Sequence, residues 1–585
     1  MSVFDNILSW TYAIPDVAAI DYYGTVITFG ELPEFVRCYV NGLREIGVKE
    51  GDVVTLCMPV SVENNILLFA LNNMGAIQNS PNFLFLRNDF RTYTEQKKSH
   101  TLIILDAYLP FVIDYLEECK IKNVILTDLS YYLPAEQKDR FDDMSNLPEK
   151  LKEVFDNKNA FEECVVKMQK ISSVKFFRME EIVEYGKKNP APLYAGPVDI
   201  DRDVSYSYTS GTTGKPKCIV YKELSANALI ELHKGINTKD YVGDRCFQSI
   251  PLTHATGERF CGYLQMARGK TMVPQPIYNK DSFGKDLMES KCNWVTVAPS
   301  FYLAGVANGL VAPDAFKHVT RPCSGGEPVT KSNVVLIDNW LKLNGCNVRL
   351  SIGGGAAEDG SSTITSYFMD EKTKTNETGY PVKPGIRVKV VDENGEIVPQ
   401  GQRGIFHVTS PAAADRYLDD PEATAQRWYV DKEGIRWGNT EDIVVQNHDG
   451  SFSILGRASD SYIDKNDEIK YLFDIEYSLE SNDPVVEWEI TAHATDSGTY
   501  VVGQVVLKEE YRDKPKEVIE MLCKKYNLDS VKIYEKFESS EVTGKRDYQL
   551  LKDDKEGYYC VRAGVIQEVS YSGGKRSIIS EGITI

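Results

Sequence analysis

The chain has 585 residues, 42% of them hydrophobic and 11% aromatic, the balance of a globular protein with room for more than one core. A formal charge of -19 argues against nucleic acid or an anionic membrane surface as the main partner, because both reward clustered lysine and arginine. No apolar run reaches the roughly 18 to 20 residues of a membrane span, no signal peptide is visible at the start, and the 12 cysteines form no C-x-x-C pair, so a cytoplasmic enzyme with reduced thiols is expected.

Residues 20 to 130 alternate amphipathic helices with short apolar strands: FGELPEFVRCYVNGLREIGV has helical spacing, while DVVTLCMP, TLIILDA and KNVILTDL read as strands of a parallel α/β sheet. The charged stretch from about Pro134 to Asn189 reads as a helical, polar surface insertion. Strand DVSYSYTS then enters YTSGTTGKPK (208–217). A second α/β series runs from Ser225 to about Leu350, with strands near WVTVAPS and NVRLSIGG. From Gly379 the pattern turns all-β, with IRVKVVDENGEIV alternating around an Asn-Gly turn and RGIFHVTS and SFSILGR following. After Gly456-Arg457 the chain becomes polar and then mixed α/β to about residue 550. The last 30 or so residues read as an added β-hairpin around Ser572-Gly573-Gly574. An N-terminal domain of residues 1–456, with a β-barrel subdomain at about 379–456, and a smaller C-terminal domain of residues 457–585 are therefore expected.

The 208–217 loop has the composition of a phosphate cradle: hydroxyls and free N–H groups donate to anionic oxygens, glycines permit close approach, and lysine supplies countercharge. It is not a Walker A loop, since two residues rather than four separate Gly211 from Gly214 and Pro216 follows Lys215. Further landmarks follow in order: PLTHATG (251–257), SGGEP (324–328), GYPVKPGIRVKVVDENGEIVPQGQRGIFHV, WGNTED (437–442), GRASD (456–460) and TGKRD (543–547). Together these resemble the motifs of the adenylate-forming superfamily, which includes acyl-CoA synthetases, luciferases and peptide-synthetase adenylation domains. The resemblance covers roughly residues 20 to 550 and is closest to an acyl-CoA synthetase.

What the resemblance implies is an α/β fold: a large N-terminal domain of two parallel α/β sheets plus a small β-barrel, hinged to a small α+β C-terminal domain. The implied reaction uses ATP and Mg²⁺ to turn a carboxylic acid into an acyl-AMP with release of pyrophosphate, then passes the acyl group to a thiol. Coenzyme A is the expected acceptor and an acyl-carrier protein the alternative. In this pattern Lys545, on the mobile small domain, is the catalytic cation, and Glu358 holds Mg²⁺, with Asp359 beside it able to serve instead. Thr209, Ser210, Gly211, Thr212, Thr213, Gly214 and Lys217 take the β- and γ-phosphates. Gly325, Gly326, Glu327, Gly355, Ala356 and Ala357 line the nucleotide, Asp442 holds its ribose, and Arg457 contacts the nucleotide or helps set the domain orientation. Ser459 is the hinge. His254, Glu258, Phe260, Ser324 and Gly353 border the acyl pocket, with His254 as a gate, and Arg259 is expected in a surface ion pair. The other six histidines lack metal-ligand spacing, against a zinc hydrolase.

Three departures from the family pattern matter. The usual Tyr-Gly-x-Thr-Glu is GGAAE (354–358) here, which removes an aromatic stacking partner of about 1 to 3 kcal/mol and a hydrogen bond to phosphate of about 1.5 to 3 kcal/mol. Asn439 and Glu441 replace His or Arg and Gly in the ribose segment, and IDKNDEIK (463–470) replaces the Gly-Gly that lines a pantetheine channel. Weakened nucleotide binding is the expectation. The opposing reading is a nucleotide-binding regulatory protein with degraded catalytic motifs; Lys545, kept in a Thr-Gly-Lys setting, speaks for the enzyme.

Overall fold

The computed structural model describes residues 2–141, 158–209, 216–234, 241–277, 279–327, 329–360, 363–366, 379–380, 382–464, 466, 468–480, 482–538 and 548–582. Two eight-stranded sheets form the bulk of it. The first runs, edge to edge, through Arg416–Tyr417, Cys218–Lys222, Asp203–Tyr208, Ile77–Asn79, Val53–Cys57, Ser99–Leu105, Asn123–Thr127 and Lys175–Arg178. Its six strands from Asp203–Tyr208 to Lys175–Arg178 pair in parallel. Its inner strands VVTLC (Val53–Cys57) and NVILT (Asn123–Thr127) are mostly apolar and buried at every residue, as strands covered on both faces are.

The second sheet runs Ile364–Thr365, Ser351–Gly354, Arg321–Gly325, Trp294–Val297, Arg245–Gln248, Thr271–Pro274, Ala18–Tyr22 and Thr25–Thr28. The N-terminal hairpin thus completes a sheet built mostly from residues beyond 240, with Ile20 paired in parallel to Met272. The all-β stretch is a six-stranded antiparallel sheet of Gly379–Tyr380, Phe452–Arg457, Arg436–Gln446, Arg403–Thr409 and Arg387–Val391, with Trp428–Val430 paired onto Arg436–Gln446. After it come a small hairpin, Ser461–Ile463 with Ile469–Tyr471, and a last six-stranded sheet from Val485–Thr495 to Ser577–Glu581. Separate hydrophobic clusters sit in the second sheet, the all-β sheet and the C-terminal sheet. No helix among the described residues is long and apolar enough to cross a membrane.

Two local expectations are corrected. The stretch assigned to a surface insertion instead supplies the edge strand Lys175–Arg178 and the helix Met179–Lys188, which buries Met179, Ile182, Val183 and Gly186. That helix packs on Leu32–Glu45 at glycine contacts: a Cβ on Gly42 would lie 2.0 Å from the Ile182 carbonyl oxygen, and one on Gly186 would lie 1.8 Å from that of Cys38. The C-terminal extension does turn at Ser572–Gly574, but it is three strands rather than one hairpin: Tyr558–Arg562, Val565–Ser570 and Ser577–Glu581 continue the last sheet. Tyr571 anchors it, stacked on His493 at 5.0 Å and hydrogen-bonded to Ser530 at 2.8 Å.

Gly186→Ala should lower stability by about 3 kcal/mol or more in urea unfolding, because helix and helix cannot approach with a methyl between them; a gain of up to about 1 kcal/mol, the ordinary helix preference of alanine, would show the contact to be loose. Burial lowers the His493 pKa from 6.5 to about 4. The unfolded chain therefore binds the extra proton first, so stability should fall as pH drops from about 6.5 to about 4, and His493→Gln should flatten that part of the profile.

Candidate functional site

Several of the expected site residues, Ser324, Gly325 and Gly353 among them, lie at the carboxyl ends of adjacent parallel strands of the second sheet, where open α/β sheets place their ligands. Trp294–Val297, Arg321–Gly325 and Ser351–Gly354 are neighbours, with Ser324 opposite Ile352 and Gly325 opposite Gly353. The glycines are required there: a Cβ on Gly325 would meet the Gly353 carbonyl oxygen at 2.3 Å, and Gly326 has a left-handed φ of 83°. The Glu327 carboxylate accepts from the Ser300 N–H at 3.2 Å and the Ser300 hydroxyl at 3.3 Å, so it caps the helix Pro299–Asn308.

The strand Ser351–Gly354 runs through exposed Gly355 and half-buried Ala356 into a 3₁₀ turn, Ala357–Asp359. Three hydrogen bonds fix its first two residues. Tyr221 donates to the Ala357 carbonyl at 2.7 Å, the Ala414 N–H donates to the Glu358 carbonyl at 2.9 Å, and Tyr417 donates to Glu358 Oε1 at 2.7 Å. Gly360 leaves the turn at φ 82°, where a Cβ would lie 1.8 Å from the Ala412 carbonyl oxygen. Burial and the Glu358 carboxylate hold the Tyr417 phenol well above its usual range, so it stays a hydrogen-bond donor. With one Glu358 oxygen occupied by Tyr417, the other remains to meet a hard cation. Among the described residues no group of three or more His, Cys, Asp or Glu could hold a metal by itself. Glu358 is a carboxylate that could serve Mg²⁺, which takes one or two protein carboxylates and completes its shell with phosphate oxygens and water.

The hydroxyl-rich loop joins antiparallel strands, with Tyr208 opposite Cys218. Its base is closed by the Thr209 N–H to the Lys217 carbonyl at 3.0 Å and the Lys217 N–H to Thr209 Oγ1 at 2.9 Å. The Lys217 ammonium lies 5.1 Å from the centre of the Tyr417 ring. Ser210, Gly211, Thr212, Thr213 and Gly214 lie outside the described residues, as does Lys545.

On the ribose side, Asp442 and Arg457 face each other across antiparallel strands, with Nε 3.2 Å from Oδ1. Burial raises the Asp442 pKa, with Arg457 and Thr440 pulling it back. Arg457 also donates to the Thr440 carbonyl at 2.6 Å. Glu441 is exposed and left-handed at φ 61°, the conformation a glycine accepts without strain. Its own carbonyl accepts from the Ala458 N–H at 2.9 Å, next to Ser459. Beyond Ser459, Ile463 and Ile469 pair across the small hairpin and are more than half exposed.

Two of the residues expected on the acyl side, Glu258 and Phe260, sit on an unusual element. Thr256–Leu264 is a π-helix, a wider turn often found at functional sites, and Gly257 packs so close to Pro251 that a Cβ would lie 2.1 Å from its carbonyl oxygen. His254 is half-buried, with Nδ1 3.2 Å from the Thr256 N–H. Phe260 is half-buried, and Gly353 borders the strand end. Glu258 and Ser324 face inward instead: Glu258 is fully buried against the Ser207 hydroxyl at 3.0 Å, and Ser324 donates to the Val297 carbonyl at 2.9 Å. Arg259 is not a surface residue. It is 1% exposed, lies 4.0 Å over the Tyr221 ring, and donates to the carbonyls of Ser225, Gly360 and Ala412. The wide π-turn rotates it inward.

Sequence reasoning missed Tyr221, Tyr417 and Arg427. Arg427 donates to Asp359 Oδ1 at 2.6 Å and to the Asn439 carbonyl, joining the Glu358 turn to the ribose strand. The local signal, Asp420 capping a helix that opens at Pro421, gives the helix but not the partner of its last residue.

A family model described as AMP-binding enzyme matches residues 10–418. The acyl-CoA ligase sidI of Aspergillus fumigatus is 22% identical, over 82% of this chain and 76% of its own length. The acetyl-coenzyme A synthetase of Burkholderia thailandensis is 27% identical, over 83% and 71%. Among solved structures, an anthranilate CoA ligase in complex with anthranoyl-AMP superposes with a TM-score of 0.73 at 17% identity, covering 94% of this chain and 96% of that one. A benzoate CoA ligase from Burkholderia xenovorans gives 0.73 at 19% identity, covering 94% and 100%.

Glu441→Gly should stabilise the fold by about 0.5 to 1 kcal/mol in urea unfolding, because relief of left-handed strain exceeds the added freedom of the unfolded chain. A loss of stability would mean that the Glu441 side chain holds contacts worth more than its strain.

Proposed function

The chain belongs to the AMP-binding enzyme family, and from that premise we propose that it is an ATP-dependent, AMP-forming ligase that activates a carboxylic acid and transfers its acyl group to coenzyme A. One observation carries the proposal: a continuous line of contacts, Lys217 to Tyr417 to Glu358 on one side and Asp359 to Arg427 to Asn439 on the other, links the phosphate loop, the candidate metal carboxylate and the strand of Asp442. These come from segments as far apart in the chain as Lys217 and Asn439, and their chemistry fits phosphate, a hard cation and ribose in turn.

In the first step a substrate carboxylate oxygen attacks the α-phosphorus of ATP, the bond to the bridging oxygen breaks, and pyrophosphate leaves with the electron pair. Two anions must meet, so catalysis is chiefly charge compensation and alignment. Lys545 supplies an ammonium to the carboxylate and α-phosphate. The loop 209–217 holds the leaving β- and γ-phosphates, while Asp442 accepts from the ribose hydroxyls. Mg²⁺, held through Glu358 and the phosphates, supplies further charge neutralisation when bound. In the second step the thiol sulfur attacks the acyl carbon, and AMP departs from the mixed anhydride. The segment 457–460 at the end of strand Phe452–Arg457 suits a hinge, with Ser459 as pivot, that withdraws Lys545 between the steps. His254 just before the π-helix, Phe260 on it and Gly353 border the acyl side.

The absent stacking and phosphate-binding side chains at 354–358 predict a high KM for ATP rather than no activity. ATP-dependent pyrophosphate release, measured over a panel of carboxylic acids with coenzyme A, should be positive for at least one acid, should stop on chelating Mg²⁺, and should fall about 10²-fold or more in Lys545→Ala while ATP still binds. Clear AMP binding with no release for any acid would instead favour a nucleotide-binding regulatory protein. Release without acyl-CoA, but with an acylated carrier protein, would move the acceptor and keep the chemistry.

A further inference from the structure

The turn that carries Glu358 and the strand that carries Asp442 belong to different sheets, and the side chains of 354–358 offer little to hold them in register. We infer that the buried Arg427–Asp359 pair is a positioning clamp, setting the distance between the Glu358 carboxylate and the Asp442 carboxylate so that one nucleotide can engage both. The inference rests on the nucleotide site proposed above.

The geometry is that of a bridge. Asp359 follows Glu358 directly in the 3₁₀ turn and is 2% exposed; Arg427 ends the helix Pro421–Arg427 and its side chain is 9% exposed. One guanidinium nitrogen binds Asp359 Oδ1 at 2.6 Å and the other binds the Asn439 carbonyl, so a single rigid fork spans both elements. From Asn439 the connection reaches Asp442 through short local contacts: Asn439 Oδ1 accepts from the Glu441 N–H at 2.9 Å, and Thr440 Oγ1 accepts from the Asp442 N–H at 3.1 Å. The two elements are in ordinary van der Waals reach, since a Cβ on Gly438 would lie 3.5 Å from Asp359 Oδ1. On the other side Arg259 holds the exit of the same turn through the carbonyl of Gly360. The Glu358 turn is thus gripped from both ends, and Arg427 is the grip that reaches the ribose strand.

A buried ion pair contributes little net stability compared with apolar groups of the same shape, which separates positioning from folding. The full chain is compared as wild type, Arg427→Lys, and the double variant Asp359→Leu/Arg427→Met. Affinities for AMP and for MgATP are measured by titration calorimetry beside thermal melting. Arg427→Lys keeps the charge but cannot span both partners; it should melt near the wild type and bind MgATP at least five-fold more weakly. The double variant should also melt near the wild type yet bind MgATP at least ten-fold more weakly. With an acid that supports pyrophosphate release, KM for ATP should rise while KM for the acid stays unchanged. Wild-type MgATP affinity in either folded variant overturns the clamp, and should the double variant fail to fold, Arg427→Lys decides. A wild-type chain that binds neither AMP nor MgATP removes the nucleotide site itself, a failure distinct from that of the clamp.

Discussion

The guanidinium of Arg427 lies between a turn of one sheet and a strand of another, and both of its terminal nitrogens are committed. Burial works against its charge, but Asp359 and Glu358 more than offset that and raise its pKa. Asp359 pays the opposite way, its carboxyl pushed up to about 6 by burial. Taking two charges out of water costs several kcal/mol per ion, so such a pair persists where a fixed relation between two elements matters more than net stability. The glycines at 325 and 360 bring backbone close enough that no side chain could intervene.

The chain meets the loss of larger side chains at 354–358 with contacts from outside the motif. Tyr221 and Tyr417 bind the turn from the first sheet, Arg259 from the π-helix, and Arg427 from the short helix beside the all-β sheet. These replace local stacking by long-range tethering. Such tethers position a carboxylate well, but they supply no aromatic face for an adenine, which is why the ATP affinity rather than the chemistry is expected to suffer. Glu441 belongs to the same picture: exposed and strained, it turns its charge to solvent beside the half-buried Asp442.

At the other end of the molecule the C-terminal strands are not an ornament. Tyr571 is 1% exposed and contacts His493, Tyr500 and Tyr558, so the extension shares a core with the strands before it. The two domains touch through specific bonds as well, including Ser332 to the Leu479 carbonyl at 2.8 Å and Arg403 with Asp474.

The sequence alone determined what is local. Apolar runs bounded by turn residues fixed the strands, because period and burial are written into neighbouring positions. The motif turns stand out for the same reason: glycines, hydroxyls and a carboxylate at short fixed spacings raise the expectation of phosphate and cation chemistry before any fold is known. Only the tertiary structure decided which distant residues meet. Nothing near Arg427 signals that its partner is 68 positions away. Nothing in ERF (258–260) signals that a π-turn buries Glu258 and Arg259, and the charged face of 179–188 hides a helix seated by Gly42 and Gly186. Periodicity records which face of an element is apolar; close backbone approach and ion pairing depend on how two elements are set against each other, and that relation exists only in the folded chain.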